Sequence, residues 1–157
     1  MIYKNIEGKN VEIDKIRPRI IIGIDPGVNT GYAMSMDGTG AILELLTTKI
    51  HTAMSKVQAL NRCYNMSHGI YCFVEDPNKR VWFGPEKNYR DKAQGAGSVK
   101  RDFSIWRDFL EDEDIPMIPV APKDIATVNH EMFCRLTKWA GKTNEHNRKA
   151  GLLVFGK

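Results

Sequence analysis

Arg19-Ile20-Ile21-Ile22-Gly23-Ile24-Asp25-Pro26-Gly27 is the stretch on which the fold turns. A short, nearly continuous run of β-branched residues is the pattern of a strand buried on both faces. Pro26-Gly27 then imposes a turn, so Asp25 stands at the carboxyl end of the strand. Working outward, Gly31 to Met36 reads as a second strand, Asp37-Gly38-Thr39-Gly40 as a hairpin turn, and Ala41 to Ile50 as a third strand. This is an antiparallel meander. On the amino-terminal side, residues 1–17 read as a short arm or edge hairpin.

Beyond the meander the period changes. Thr52 is expected to cap a helix running to about Met66, with Ala53, Met54, Val57, Leu60 and Tyr64 at helical spacing. Ile70-Tyr71-Cys72-Phe73-Val74-Glu75 is another buried strand, and its crossover helix makes it a candidate parallel neighbour of the first. Residues 77–97 show no periodicity and contain Gly84, Gly95 and Gly97, so a long functional loop is expected. A helix follows from Ser98 to about Glu113, with Val99, Phe103, Trp106, Phe109 and Leu110 on one face. Ile115 to Ala121 is a fifth strand, and Pro116 marks it as an edge. Pro122-Lys123-Asp124 starts a short helix, Glu131 to Trp139 forms another ending at Gly141, and Asn144 caps a last one through Phe155. The order implies an α/β three-layer domain over residues 1–157, a mixed five-stranded sheet flanked by helices.

Bulk properties narrow the class. A chain of 157 residues fits one domain with a core that needs no staples. No apolar run is long enough to span a bilayer, and MIYKNIEGKN lacks the apolar centre of a signal peptide. A cytoplasmic protein is expected. Cys63, Cys72 and Cys134 are odd in number and lack CxxC spacing, which argues against disulfides and a zinc site. Each is expected to pack as a small apolar residue. His51, His68 and His130 read as surface or capping residues.

Two acids carry the chemistry. If the first and fourth strands are adjacent and parallel, Asp25 and Glu75 emerge at one sheet edge, where open α/β sheets place their sites. Close carboxylates repel, and a divalent cation relieves the repulsion. Two such ions can activate water and stabilise a leaving oxygen in phosphodiester cleavage. Taken singly, Asp25-Pro26-Gly27 is also an ordinary turn and Glu75-Asp76-Pro77 an ordinary strand end. As a pair, each directly following a buried apolar run, they are hard to explain without a shared partner.

A basic segment follows. From Lys79 to Arg101 there are seven basic residues (Lys79, Arg80, Lys87, Arg90, Lys92, Lys100 and Arg101) and two acids, a net +5 that exceeds the +4 of the whole chain. Trp82, Phe83 and Tyr89 are interleaved with them. Lys and Arg contact phosphates without reading sequence, aromatics stack on unpaired bases, and Gly95 and Gly97 permit close backbone approach to phosphate. A solvated charged loop is the alternative. Its position directly after Glu75 favours DNA.

Ile22-Gly23-Ile24-Asp25-Pro26-Gly27 with Thr30-Gly31-Tyr32 closely resembles the first motif of RuvC-type Holliday junction resolvases, members of the RNase H-like superfamily. Val74-Glu75-Asp76-Pro77, Trp82-Phe83-Gly84 and Ala93-Gln94-Gly95-Ala96-Gly97-Ser98-Val99-Lys100-Arg101 are similar to the phage-borne branch. So is the tail, Thr143-Asn144-Glu145-His146 to Val154-Phe155-Gly156. The resemblance spans roughly residues 19–157. It implies an RNase H-like fold and a magnesium- or manganese-dependent endonuclease acting on branched DNA as a homodimer, in the host cytoplasm if phage-encoded. It maps Asp25 and Glu75 onto metal-binding acids, His146 onto a ligand of the last helix, and Gln94 into the DNA-binding segment. The Ser98–Glu113 helix, with Phe103 and Trp106, is a candidate dimer interface, unless that stripe faces the sheet.

One position departs from the family. Three residues after His146, where the family has an aspartate, this chain has Lys149. An ammonium cannot ligate a metal, but it can replace one cation's charge. Three accounts fit: an engineered inactivating change, a natural lysine in a protein that binds branched DNA but cuts poorly, or compensation by Glu145, Asp76 or another acid. A third class of function, an actin-like sugar kinase or ATPase, shares the look of Gly23-Ile24-Asp25-Pro26-Gly27 and Thr30-Gly31. Length opposes it, because those proteins need two such domains around the nucleotide.

Overall fold

A computed structural model describes residues 2–4, 8–12, 19–36, 40–64, 69–79 and 89–157. The main sheet has the strand order β5-β4-β3-β6-β7. β3 (Arg19–Asp25), β4 (Asn29–Met36) and β5 (Ile42–Lys49) form the antiparallel meander. β6 (Gly69–Glu75) lies parallel to β3, and β7 (Met117–Val120) parallel to β6. β7 is an edge strand, as Pro116 predicted. β1 (Ile2–Lys4) and β2 (Asn10–Glu12) pair antiparallel as a separate two-stranded ribbon.

Strand alternation divides the sheet into two cores. Ile20, Ile22 and Ile24 of β3 face the crossover helices α1 (Ile50–Tyr64) and α2 (Tyr89–Asp112), with Val57, Phe103, Trp106 and Leu110 packed onto them. Ile21, Ala33 and Phe73 face α3 (His130–Thr137) and α4 (Glu145–Val154), against Phe133, Ala150 and Leu153. Burying each large apolar side chain contributes about 1.5–3 kcal/mol, so β3, covered on both faces, is the central strand. The result is the three-layer α/β architecture with a mixed five-stranded sheet.

Several boundaries differ from the sequence reading. α1 starts at Ile50, so Thr52 lies inside the helix rather than capping it. Helix α2 starts at Tyr89, well before Ser98, and a single 3-10 turn occupies Pro77–Lys79. The expected loop at 77–97 is therefore shorter. Gly95 and Gly97 hid this helix, because glycine weakens a helical pattern without forbidding it. α3 ends at Thr137, short of Trp139 and Gly141, because Lys138 turns into the left-handed region at φ 61°. Phe103 and Trp106 are 2% and 0% exposed within the chain's own core, so they belong to the sheet and not to a dimer interface. Cys72 is buried as expected, whereas Cys63 is exposed. His51 and His130 are exposed, and His68 lies outside the described residues.

Candidate functional site

The site begins with register. β3 and β6 pair in parallel from Arg19↔Gly69 to Ile24↔Val74, so the next step along both strands sets Asp25 level with Glu75. Neighbouring strands are about 4.8 Å apart. Period-two alternation places Asp25 on the face of Ile21 and Gly23, and Glu75 on the face of Tyr71 and Phe73, which is the face covered by α4. Both carboxyl groups are buried, at 5% and 4% exposed.

Helix α4 then completes the site. Asn144 caps it: its side chain accepts from the Asn147 N–H at 3.1 Å, and the Asn147 side chain accepts from the Asn144 N–H at 2.9 Å. Thr47 Oγ1 of β5 donates to Asn144 Oδ1 at 2.9 Å, tying the helix start to the sheet. Two glycines set how close the helix lies. A Cβ on Gly31 would sit 2.1 Å from the His146 carbonyl oxygen, and one on Gly23 would sit 2.2 Å from that of Ala150. These glycines make room for the α4 backbone. Thr30, fully buried, donates its hydroxyl to Gly27 O at 2.6 Å and closes the turn after β3.

On this seat, His146 Nδ1 lies 2.8 Å from Asp25 Oδ2. Lys149, one turn further along, places Nζ 3.7 Å from Glu75 Oε2 and 3.4 Å from Glu145 Oε1. Burial pulls the Lys149 pKa down, but the carboxylates of Asp25, Glu75 and Glu145 outweigh it and hold the group above the usual lysine value. It is a standing ammonium. Glu145 is 71% exposed at its side chain and holds Lys149 from the solvent side.

Asp76 plays another part. Its Oδ1 accepts from the Asn78 backbone N–H at 2.9 Å and from Asn78 Nδ2 at 3.1 Å, which commits it to the turn after β6. Among the described residues, no three histidine, cysteine or acidic side chains are gathered as a cation-binding group. His146 stands against Asp25 and Lys149 against Glu75, two pairs side by side at the ends of β3 and β6.

Of the basic residues, Lys79 lines a cleft of about 550 Å³ together with Lys4, Lys123 and Lys157, floored by Phe73 and Ile118. Its Nζ donates to Pro119 O at 3.3 Å. Phe73 is two residues before Glu75 on the same strand face, although neither Glu75 nor Asp25 lines the cleft. Lys100 and Arg101 are exposed on α2, with Arg101 Nη2 3.5 Å from Asp102 Oδ1. Arg80, Trp82, Phe83 and Lys87 lie outside the described residues. Tyr89, Arg90, Lys92 and Gln94 fall in the first turns of α2, whose backbone alone is described there. Sequence reasoning missed Lys4, Lys123 and Lys157, whose proximity is purely tertiary. It also missed Asn147, which the Asn144-x-x-Asn147 spacing of a capping box signals.

No family model matches this chain, and no curated protein sequence does. Among solved structures it is similar to T. thermophilus RuvC in complex with a Holliday junction substrate, with a TM-score of 0.55 at 14% identity, covering 87% of this chain and 90% of that one. No helix among the described residues is long and apolar enough to cross a membrane. The sheet order, the two crossover helices and α4 across the meander are those of an RNase H-like fold, and this chain has that fold in common with RuvC.

Proposed function

We propose that this chain is a structure-selective endonuclease of the RuvC type, in its phage-borne branch. In this reading it cleaves phosphodiester bonds in branched DNA by metal-ion-assisted hydrolysis, as a homodimer in the cytoplasm of a host cell. One RNase H-like domain, residues 1–157, carries the function. The observation that carries the reading is the side-by-side placement of Asp25 and Glu75 at the carboxyl ends of adjacent parallel strands, under a helix bearing His146. The similar fold of a RuvC captured on a Holliday junction supports branched DNA as the substrate class.

Two carboxylates and an imidazole are a donor set suited to magnesium or manganese. Asp25, Glu75 and His146 would hold the ion, which when bound lowers the pKa of a water and stabilises charge on the phosphoryl oxygens. The protein's own contribution is positional. Asp25 Oδ2 lies 2.8 Å from His146 Nδ1 and orients the ring, so that Nε2 is the nitrogen turned away from that contact. The cleft lined by Lys4, Lys79, Lys123 and Lys157 and the basic segment from Lys79 to Arg101 supply phosphate contacts.

A second reading is a branched-DNA-binding protein with impaired or absent cleavage. It is favoured by Lys149 Nζ standing 3.7 Å from Glu75. Incubation of a labelled four-way junction with the protein and magnesium or manganese separates the two. Cleavage that Asp25→Asn abolishes establishes the nuclease. Binding without cleavage, with cutting gained in Lys149→Asp, establishes the binder. A chain that neither binds nor cuts junctions removes both.

A further inference from the structure

We infer that Lys149 is a tethered cation that occupies one of the cation positions of this site, so that the folded chain is partly charge-compensated without metal and takes up at most one divalent ion. The inference rests on the metal-dependent reading above and concerns how many ions, and how tightly, this chain's residues hold them.

Two buried carboxylates on adjacent strands repel each other, and a buried charge left without compensation is strongly destabilising. The sheet cannot separate Asp25 from Glu75, because the β3–β6 register fixes them. The helix above brings a compensating charge to within 3.7 Å of Glu75. Lys149 is three residues beyond His146 and four beyond Glu145, so all three lie on one face of α4. Its side chain is only 25% exposed. The lysine cannot be withdrawn by sliding the helix, since Gly23 and Gly31 seat the α4 backbone directly on the strands. The α4 backbone therefore keeps Lys149 within reach of Glu75.

The consequence for metal follows from donor chemistry. An ammonium offers three hydrogens and no lone pair. It competes with a metal for the Glu75 oxygens and repels a cation placed beside it. With Asp25 and Glu75 ionised and Lys149 charged, the buried cluster carries a formal charge of −1, enough to attract one divalent ion on the Asp25–His146 side. A second ion at the Lys149 position would need an acid there. Glu145 does not provide it, because its carboxylate is spent on the outer side of the same ammonium.

Manganese titration of the full chain, by calorimetry and by loss of the free-ion spectroscopic signal, tests this. The expected result is no more than one manganese per chain. Lys149→Met, which keeps length and removes charge, is expected to bind manganese at least about tenfold more tightly. Lys149→Asp is expected to bind two. In chelator the unsubstituted chain should melt only a little below its value in magnesium, whereas Lys149→Met should melt much lower in chelator and recover with magnesium. Two ions on the unsubstituted chain, or a Lys149→Met affinity equal to it, would overturn the tethered cation. If Lys149→Asp does not fold in chelator, it is refolded in manganese, and the Lys149→Met arm decides on its own. Absence of manganese binding in every variant overturns instead the metal-dependent reading on which this rests.

Discussion

His146 Nδ1 and Asp25 Oδ2 stand 2.8 Å apart although 121 residues separate them in the chain. The contact joins the start of α4 to the end of β3, and it is the point where the sheet edge becomes a site. Asp25→Asn replaces an ionised acceptor by an amide, loosening the ring and removing a donor oxygen. Junction cleavage should fall by about 10²-fold or more, while gel-shift affinity for the same junction changes little. Retention of near-normal cleavage would remove Asp25 from the reaction.

Gly31 controls how near the helix comes to that contact. Gly31→Ala places a methyl group against the His146 carbonyl oxygen, and forcing the helix outward should cost about 1–3 kcal/mol. Gly97 is the control: it lies in α2 with nothing within 4 Å of a Cβ. Gly97→Ala should stabilise by about 0.5–1 kcal/mol. Urea unfolding of the two variants reads both signs.

Asn144 makes both ends of the capping box and receives Thr47. Asn144→Ala should cost about 1 kcal/mol. The loss should be local, with faster amide exchange through Glu145–Arg148 than through Leu152–Val154, because the fraying turn carries His146. Uniform exchange along α4 would contradict this.

The charged form of Lys149 gives a pH signature. Its folded-state pKa is raised above the ordinary 10.5 by the surrounding carboxylates. Its stabilising contribution is therefore complete below 10.5 and is lost as pH rises through the folded value. Without metal, the unsubstituted chain should melt above Lys149→Met at about pH 7, and the margin should shrink at about pH 11. A margin that stays flat across that range would show that the ammonium contributes no charge interaction.

The lysine cleft should act on affinity rather than on chemistry. Reversing Lys123 and Lys157 to Glu should weaken junction binding. The dependence of log affinity on log salt should flatten by roughly 0.9 for each phosphate that is no longer neutralised. An unchanged salt slope would place the DNA path elsewhere.

Much of the fold was legible in the sequence, for definite physical reasons. The β-branched run Arg19–Asp25 reads as a doubly buried strand, and the order of elements after it follows from the change of period, two for strands and 3.6 for helices, together with turn and cap residues. Asp25 and Glu75 were legible as candidates because strand ends are local features, whereas His146 became a candidate through the resemblance of the last helix. The start of α2 was not, because glycines at 95 and 97 blur helical period while tertiary packing overrides them. Nor could the sequence say that Asp76 turns away to Asn78, that Phe103 and Trp106 face inward, or that Lys4, Lys123 and Lys157 meet around one cleft. Those depend on which strand lies beside which and how closely a helix can approach. Sequence alone determined that two acids stand at strand ends and that a lysine follows His146 by three. Only the tertiary structure decided that the lysine lies against Glu75, because that requires the β3–β6 register and a helix seated on two glycines.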